Sequence, residues 1–265
     1  MGQSYLVAAC RQIRTLIRRG SWVLLCICVS GCATYNTATG RSEMIFISTS
    51  SEVSMGNKIN HELMSKNKIC INTPSSKRLE RIGSRLARVS DRQDIAYHFY
   101  LIESPEINAF AVPGGHIYCY TGLFDRLTTD DQIAAVLGHE IGHLAAKHTV
   151  KKFQAALGYD VMRNVLLEVL SYKAPGIGNI ASMGSDGLMH LAMSGYGRQD
   201  EYEADRLGIK YLYLSGYDLN AMIELFHVLD PTDKNKVPLI FRTHPFVKDR
   251  IARVSNVIKD VRSKY

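Results

Sequence analysis

Five consecutive residues, His139-Glu140-Ile141-Gly142-His143, place two imidazoles and a carboxylate at a spacing suited to a single metal ion. On a helix of about 100° per residue the two histidines lie about 40° apart around the axis and one turn apart in height, so both rings reach a common point. Glu140 projects between that face and the apolar stripe, within reach of a water held there. With nine His and eleven Glu in 265 residues, about 0.01 such pentads are expected by chance. The chemistry is hydrolytic. Zinc lowers the pKa of a bound water to about 7, and an adjacent carboxylate takes its proton and passes it to a leaving amine, cutting a peptide bond without a covalent intermediate.

Thr129-Asp130-Asp131-Gln132 reads as a capping box opening a helix whose apolar positions are Ile133, Val136, Leu137, Ile141 and Leu144. Ala134, Ala135, Gly138, Gly142, Ala145 and Ala146 cover its far side, so the helix is enclosed and its polar groups are buried for a purpose. A hydrolytic zinc site uses three protein ligands and an open position. The metzincin extension is excluded, because Ala146 and Thr149 stand where it needs Gly and His. On a continuing helix His148 lies about 140° from His143 and reads as a surface or interhelix residue. Further on, Arg198 to Asp205 opens another helix, on which Glu201, Asp205, Gly208 and Leu212 share one face and Glu203, Arg206 and Lys210 the opposite one. Glu201 is therefore the expected third ligand of one zinc per chain, and Glu203 the solvated acid. Asp205, one turn on, is placed to accept the free ring N–H of a ligating histidine.

The remaining pattern predicts an α+β chain, mainly α, with a small β-sheet beside the central helix. Residues 51–66 and 74–90 carry helical spacing, the second through Leu79, Ile82, Leu86 and Val89. Ile95 to Ile102, Asn108 to Val112 and His116 to Tyr120 read as strands, with a Pro113-Gly114-Gly115 turn between the last two. Asn108, Ala109, Phe110 and Ala111 are expected to form an edge strand that pairs with an extended substrate backbone, which implies broad sequence specificity. The glycine-rich stretch from Lys173 to Gly197, with Met183, Met189 and Met193, reads as a lid or plug over the cleft. His244, ahead of Pro245 at the expected first position of the last helix, is the donor proposed for the oxyanion.

The amino terminus has a separate character. Arg11, Arg14, Arg18 and Arg19 precede a short apolar run, Ser21 to Val29, the order of a signal peptide and too short to span a bilayer. Val29-Ser30-Gly31-Cys32 resembles the bacterial lipobox, in which the cysteine is lipidated and becomes the first residue. The expected organisation is a signal peptide over 1–31, a lipid-anchored tether over 32–50 rich in Thr, Ser and Gly, and a folded domain over 51–265. Ala33, rather than an aspartate, follows the cysteine, which favours the outer membrane facing the periplasm. The net charge of +7 includes those four arginines and no acid from residues 1–31, so it falls to +3 without them. The other basic residues are scattered, which argues against nucleic acid as a partner. In an oxidising compartment Cys70 and Cys119 remain as a pair for a disulfide.

His139-Glu140-x-x-His143, Glu201-x-x-x-Asp205, Asn108-Ala109-Phe110-Ala111-x-Pro113-Gly114-Gly115 and Thr243-His244-Pro245 together resemble the gluzincin family of the CAAX prenyl protease and HtpX, in its lipoprotein branch, over roughly residues 50–260. The resemblance implies a zincin-like fold, zinc metalloendopeptidase activity and, for exported members, quality control of envelope proteins. Unfolded or misassembled polypeptides would then be substrates and outer-membrane assembly machinery a partner. It also offers His244 a second role, occupying the open zinc position of a resting enzyme. The chain departs from the family in carrying Tyr196-Gly197-Arg198 where members often have Tyr-Ser-Arg, and it shows no helical repeats. Two other readings share the same residues: a chaperone-like assembly lipoprotein with a gated zinc site, and a structural lipoprotein whose zinc is closed by four protein ligands.

Overall fold

The computed structural model describes residues 33–158, 187, 190–191, 193–229, 238–245 and 247–264. The signal peptide and Cys32 lie outside the described residues, as does most of the expected lid. The chain divides into two compact units, whose described parts are residues 33–36 with 40–46, and residues 37–39 with 47 onward. The first is a hairpin. Strands β1 (Ala33–Asn36) and β2 (Arg41–Met44) pair antiparallel, and Gly40 takes the left-handed φ of 69° that the turn demands. The expected tether is thus partly regular structure, with Thr34, Tyr35 and Asn36 in register with Glu43, Ser42 and Arg41.

In the second unit, helix α1 (Thr49–Lys66) starts where the Ser48 hydroxyl accepts from Ser51 N–H, and it buries Met55, Ile59 and Leu63 at four-residue intervals. Helix α2 (Pro74–Ala87) is capped by Thr73, with Pro74 in the first turn, and stops three residues short of the expected end. Strands β3 (His98–Ile102), β4 (Ala109–Val112) and β5 (His116–Tyr120) form a sheet in the order β3-β5-β4, with β3 parallel and β4 antiparallel to β5. β4 is therefore an edge strand, as expected.

Period-two alternation sorts the two sheet faces. Ile102, Phe110, Val112 and Tyr118 pack with the α1 stripe, while Leu101, Ala109, Ala111, Ile117 and Cys119 join the core of α2 and the metal-motif helix. The alanines on the second face let that helix approach closely. Within the Pro113–Gly115 turn a Cβ on Gly115, whose φ is 97°, would lie 2.0 Å from Ala96 O, so only glycine fits.

The short helix α3 (Thr121–Phe124) leads into α4 (Asp130–Ala145), which is buried from Gln132 onward. Thr129 accepts from Gln132 N–H as expected, whereas the returning Gln132 side chain accepts from Thr128 N–H rather than from the cap residue. The buried Arg92 guanidinium closes the far end: Nη1 donates to Leu144 O at 3.0 Å and Nη2 to Glu52 at 2.6 Å, while Glu52 also accepts Gly114 N–H. One ion pair thereby ties α1, the glycine turn and the metal-motif helix together. Helices α5 (Arg198–Ser215), α6 (Ala221–Leu229), α7 (Ile240–Thr243) and α8 (Val247–Lys264) complete the described fold.

The disulfide expectation is corrected. Cys70 and Cys119 are both free thiols, and strand β3 separates them: Cys70 N–H donates to Leu101 O from one side, and Cys119 is in register with Leu101 on the other. Two strand spacings put their backbones roughly 10 Å apart, beyond the ~7 Å a bridge spans.

Candidate metal centre

Helices α4 and α5 touch backbone to backbone through their smallest residues. A Cβ on Gly142 would lie 2.7 Å from Ala204 O, and one on Gly208 would lie 3.0 Å from His139 N. Gly142, read in the sequence on the covered far side, and Gly208, read on the face of Glu201, are thus the contact that brings Glu201 against the two histidines. His139 Nε2 and His143 Nε2 face each other at 3.1 Å. Glu201 Oε2 lies 3.5 Å from the first and Oε1 3.4 Å from the second. His244, from the end of α7, brings Nδ1 within 3.2 Å of His139 Nε2 and 3.1 Å of Glu201 Oε1.

Among the described residues these four form one buried group whose donor atoms all lie within 4.8 Å of one another. Four donors around a tetrahedral zinc, at about 2.0–2.2 Å each, stand ~3.3 Å apart, the spacing seen here. Three imidazole nitrogens and a carboxylate, with no thiolate, suit zinc among the common ions. The residues therefore fit a zinc ion, with His139, His143 and Glu201 as the expected ligands and His244 in the fourth direction.

The electrostatics agree. Burial drives the pKa of His143 well below the ordinary histidine value, favouring the neutral ring that ligates metal. Burial pushes the Glu201 carboxyl upward, but His244 and Arg250 outweigh it and hold Glu201 well below the usual range. Burial pulls His244 downward, and the Glu201 and Glu140 carboxylates overcome this and hold it up, so the local field favours a cation.

A buried network orients the ligands. Asp205 Oδ1 accepts from His139 Nδ1 at 2.8 Å, the role read from its place one turn beyond Glu201. Arg250, which the sequence reading missed, donates Nε and Nη2 to Asp205 at 2.8 and 2.7 Å, and its Nη1 lies 2.5 Å from Glu201 Oε2. Its signal was a charge in an apolar stripe, since Arg250 shares the face of Val254, Ile258 and Val261 on α8. Asp205→Ala is expected to weaken zinc binding about 10–100-fold, measured by competition with a chromogenic chelator.

His148 takes the interhelix alternative, and the reading of Glu203 is corrected. Helix α4 ends at Ala145 and Lys147 takes a left-handed φ of 56°, so the chain turns before residues 148–158 resume as helix and the 140° rotation does not apply. His148 is 2% exposed, with Nδ1 3.0 Å from His143 Nδ1 and Nε2 3.2 Å from Glu203 Oε2. Glu203, 15% exposed at its side chain, therefore accepts from a histidine that supports a ligand and is not the solvated acid. The position of His244 is corrected too: it caps the carboxyl end of α7, and α8 begins at Val247, not at Pro245.

Glu140 Oε1 lies 3.3 Å from His244 Nε2. Beside them opens a cleft of about 20 Å³, walled by the apolar side chains of Val136, Leu225, Leu229 and Ile240. A larger open groove of about 970 Å³ along the outer face of α1 contains none of the cluster residues. Asn108 is fully buried just before β4, its Oδ1 accepting from Thr243 Oγ1 at 3.4 Å. Tyr196, at the described end of the expected lid, stacks on His143 with ring centroids 3.8 Å apart.

A helix-borne His-Glu-x-x-His pair facing a glutamate from a second helix, on an α+β frame, defines a zincin-like metallopeptidase. The chain belongs to peptidase family M48, whose model matches residues 74–258. It is similar to the Beta-barrel assembly-enhancing protease of Escherichia coli (strain K12), 28% identical over 233 residues that cover 84% of this chain and 47% of that protein. It is also similar to Metalloprotease LoiP of Escherichia coli (strain K12), 30% identical over 185 residues that cover 69% of this chain and 70% of that relative. The chain thus spans about half the length of the assembly-enhancing protease.

Proposed function

We propose that the chain is a zinc-dependent endopeptidase, anchored by a lipid on Cys32 at the periplasmic side of the bacterial outer membrane, that hydrolyses misfolded or misassembled envelope proteins. The observation that carries this reading is the buried Glu140 carboxylate beside the His139, His143 and Glu201 donors, with Oε2 left unpartnered. Bound zinc supplies Lewis acidity and brings the pKa of a water molecule to about 7. Glu140 takes the proton of that water and delivers it to the leaving nitrogen. Asp205, backed by Arg250, holds the His139 ring in its ligating orientation. The edge position of β4 supports backbone pairing with an extended substrate through residues 108–111. The apolar wall of the cleft supports unfolded chains as substrates, since these expose the side chains that folded proteins bury. Cleavage of casein by the zinc-loaded chain tests the reading.

The lipid anchor rests on Val29-Ser30-Gly31-Cys32, and the relative named for enhancing β-barrel assembly supports outer-membrane assembly machinery as a partner. No helix among the described residues is long and apolar enough to cross a membrane. Cys32→Ala is expected to accumulate as an unlipidated precursor released from the membrane fraction. Normal partition of that variant, followed by fractionation and mass spectrometry, would contradict the anchor.

One observation favours a second reading, a gated site in a chaperone-like assembly lipoprotein: His244 Nδ1 already faces the other three donors. His244→Ala is expected to cleave casein faster if this residue closes the resting site. A slower variant assigns it to transition-state stabilisation.

A further inference from the structure

Buried side-chain atoms without a hydrogen-bond partner collect around the metal centre: Glu140 Oε2, Glu201 Oε2, His244 Nε2, Asn108 Nδ2 and the Tyr196 hydroxyl. An interior polar group left unpaired is costly, and where several share one site they mark the place of a molecule that completes them. Glu140 Oε2 is an acceptor and is accounted for by the water proton it takes. The tyrosine is a donor, and the proposed mechanism has not used it.

Its ring is held with little freedom. His143 stacks on one face at 3.8 Å with 20° between the planes, and Lys152 Nζ sits 4.0 Å from the centroid over the other. Its backbone N–H donates to Thr243 O at 3.2 Å, one residue before His244. His244 is held through Nδ1 against Glu201, while its Nε2, also without a hydrogen-bond partner, faces Glu140 Oε1 at 3.3 Å. The Tyr196 hydroxyl is a second unpartnered donor there.

We propose that the Tyr196 hydroxyl donates a hydrogen bond to the scissile carbonyl oxygen as negative charge builds on it. The water oxygen bonds to the carbonyl carbon, and the carbonyl π pair moves onto the oxygen facing Tyr196. When that pair returns, the C–N bond breaks and the nitrogen takes its proton from Glu140. Tyr196 keeps its own proton throughout and is a fixed dipole aimed at developing charge. Stacking on His143 ties its position to the donors that define the site.

The inference rests on the endopeptidase reading and is tested with Tyr196→Phe in the zinc-loaded chain, which keeps the stacked ring and removes only the O–H. On fluorescein-labelled casein kcat is expected to fall about 10²–10³-fold, the effect of losing one such donor, with KM and zinc content unchanged. Because the hydroxyl has no partner inside the protein, the Tm of the variant is expected to equal or exceed that of wild type. A kcat/KM within twofold of wild type would overturn the proposal. So would a variant that loses zinc, melts lower or fails to fold, since the O–H would then be structural. A zinc-loaded wild type that cuts nothing fails the endopeptidase reading itself, and is told apart by needing no variant.

Discussion

Glu140→Gln is expected to retain its zinc and its fold while losing about 10³–10⁴-fold in casein cleavage, the upper range for removing a general acid–base. The substitution preserves side-chain shape and leaves His139, His143 and Glu201 in place. It takes away only the acceptor that receives the water proton. The amide of the variant still presents an oxygen toward His244 Nε2, where Glu140 Oε1 now lies at 3.3 Å, so the local packing survives. The check is a paired measurement of zinc content and initial rate. A variant that keeps more than a tenth of the wild-type rate would remove Glu140 from the chemistry.

The second large effect separates two acids that stand two residues apart. Glu201→Ala is expected to yield a chain without zinc, a greater loss than the about 10–100-fold that follows removal of a supporting partner. It also leaves the buried Arg250 guanidinium short of one carboxylate, and breaking a buried pair of this kind costs about 3–5 kcal/mol. Glu203→Ala removes only the acceptor behind His148, so its zinc affinity is expected to fall by about 10–100-fold at most. Metal analysis of the two purified variants checks the pair. A zinc-loaded Glu201→Ala beside an empty Glu203→Ala would reverse the assignment.

The parts of the site legible in the sequence are those whose geometry is local. Two histidines four apart on one helix must share a face, and the helical period alone separates Glu201 and Asp205 from Glu203. The 2.8 Å contact from Asp205 to His139 is that period carried across the α4–α5 contact. The small residues at 138 and 142 marked a covered side of the helix, and at 142 a Cβ would lie 2.7 Å from the Ala204 carbonyl oxygen, so the α5 backbone is what covers it. The alternating strands of the sheet were legible for the same reason, with one set of residues turned to α1 and the other to α4.

What escaped depends on tertiary placement or on a break in regularity. Arg250 reaches Asp205 across 45 residues of sequence, and only its misfit in the stripe of Val254, Ile258 and Val261 hinted at a buried partner. Which alternative His148 takes is decided by a left-handed Lys147, at a residue type that seldom adopts it, which ends the helix before its period reaches residue 148. Glu203 is drawn out of solvent by the same turn, since its partner is His148. Cys70 and Cys119 suggested a bridge by number alone, whereas the pairing of β3 between them is a matter of sheet order.

The most direct test of the central claim is the dependence of casein cleavage on zinc occupancy. Zinc is removed from the purified chain with 1,10-phenanthroline and returned stepwise while the rate and the bound metal are followed together. The account predicts no cleavage by the metal-free chain and a rate that rises with zinc up to one ion per chain. Cleavage that persists without metal, or a chain that holds one zinc and cuts nothing, would contradict it.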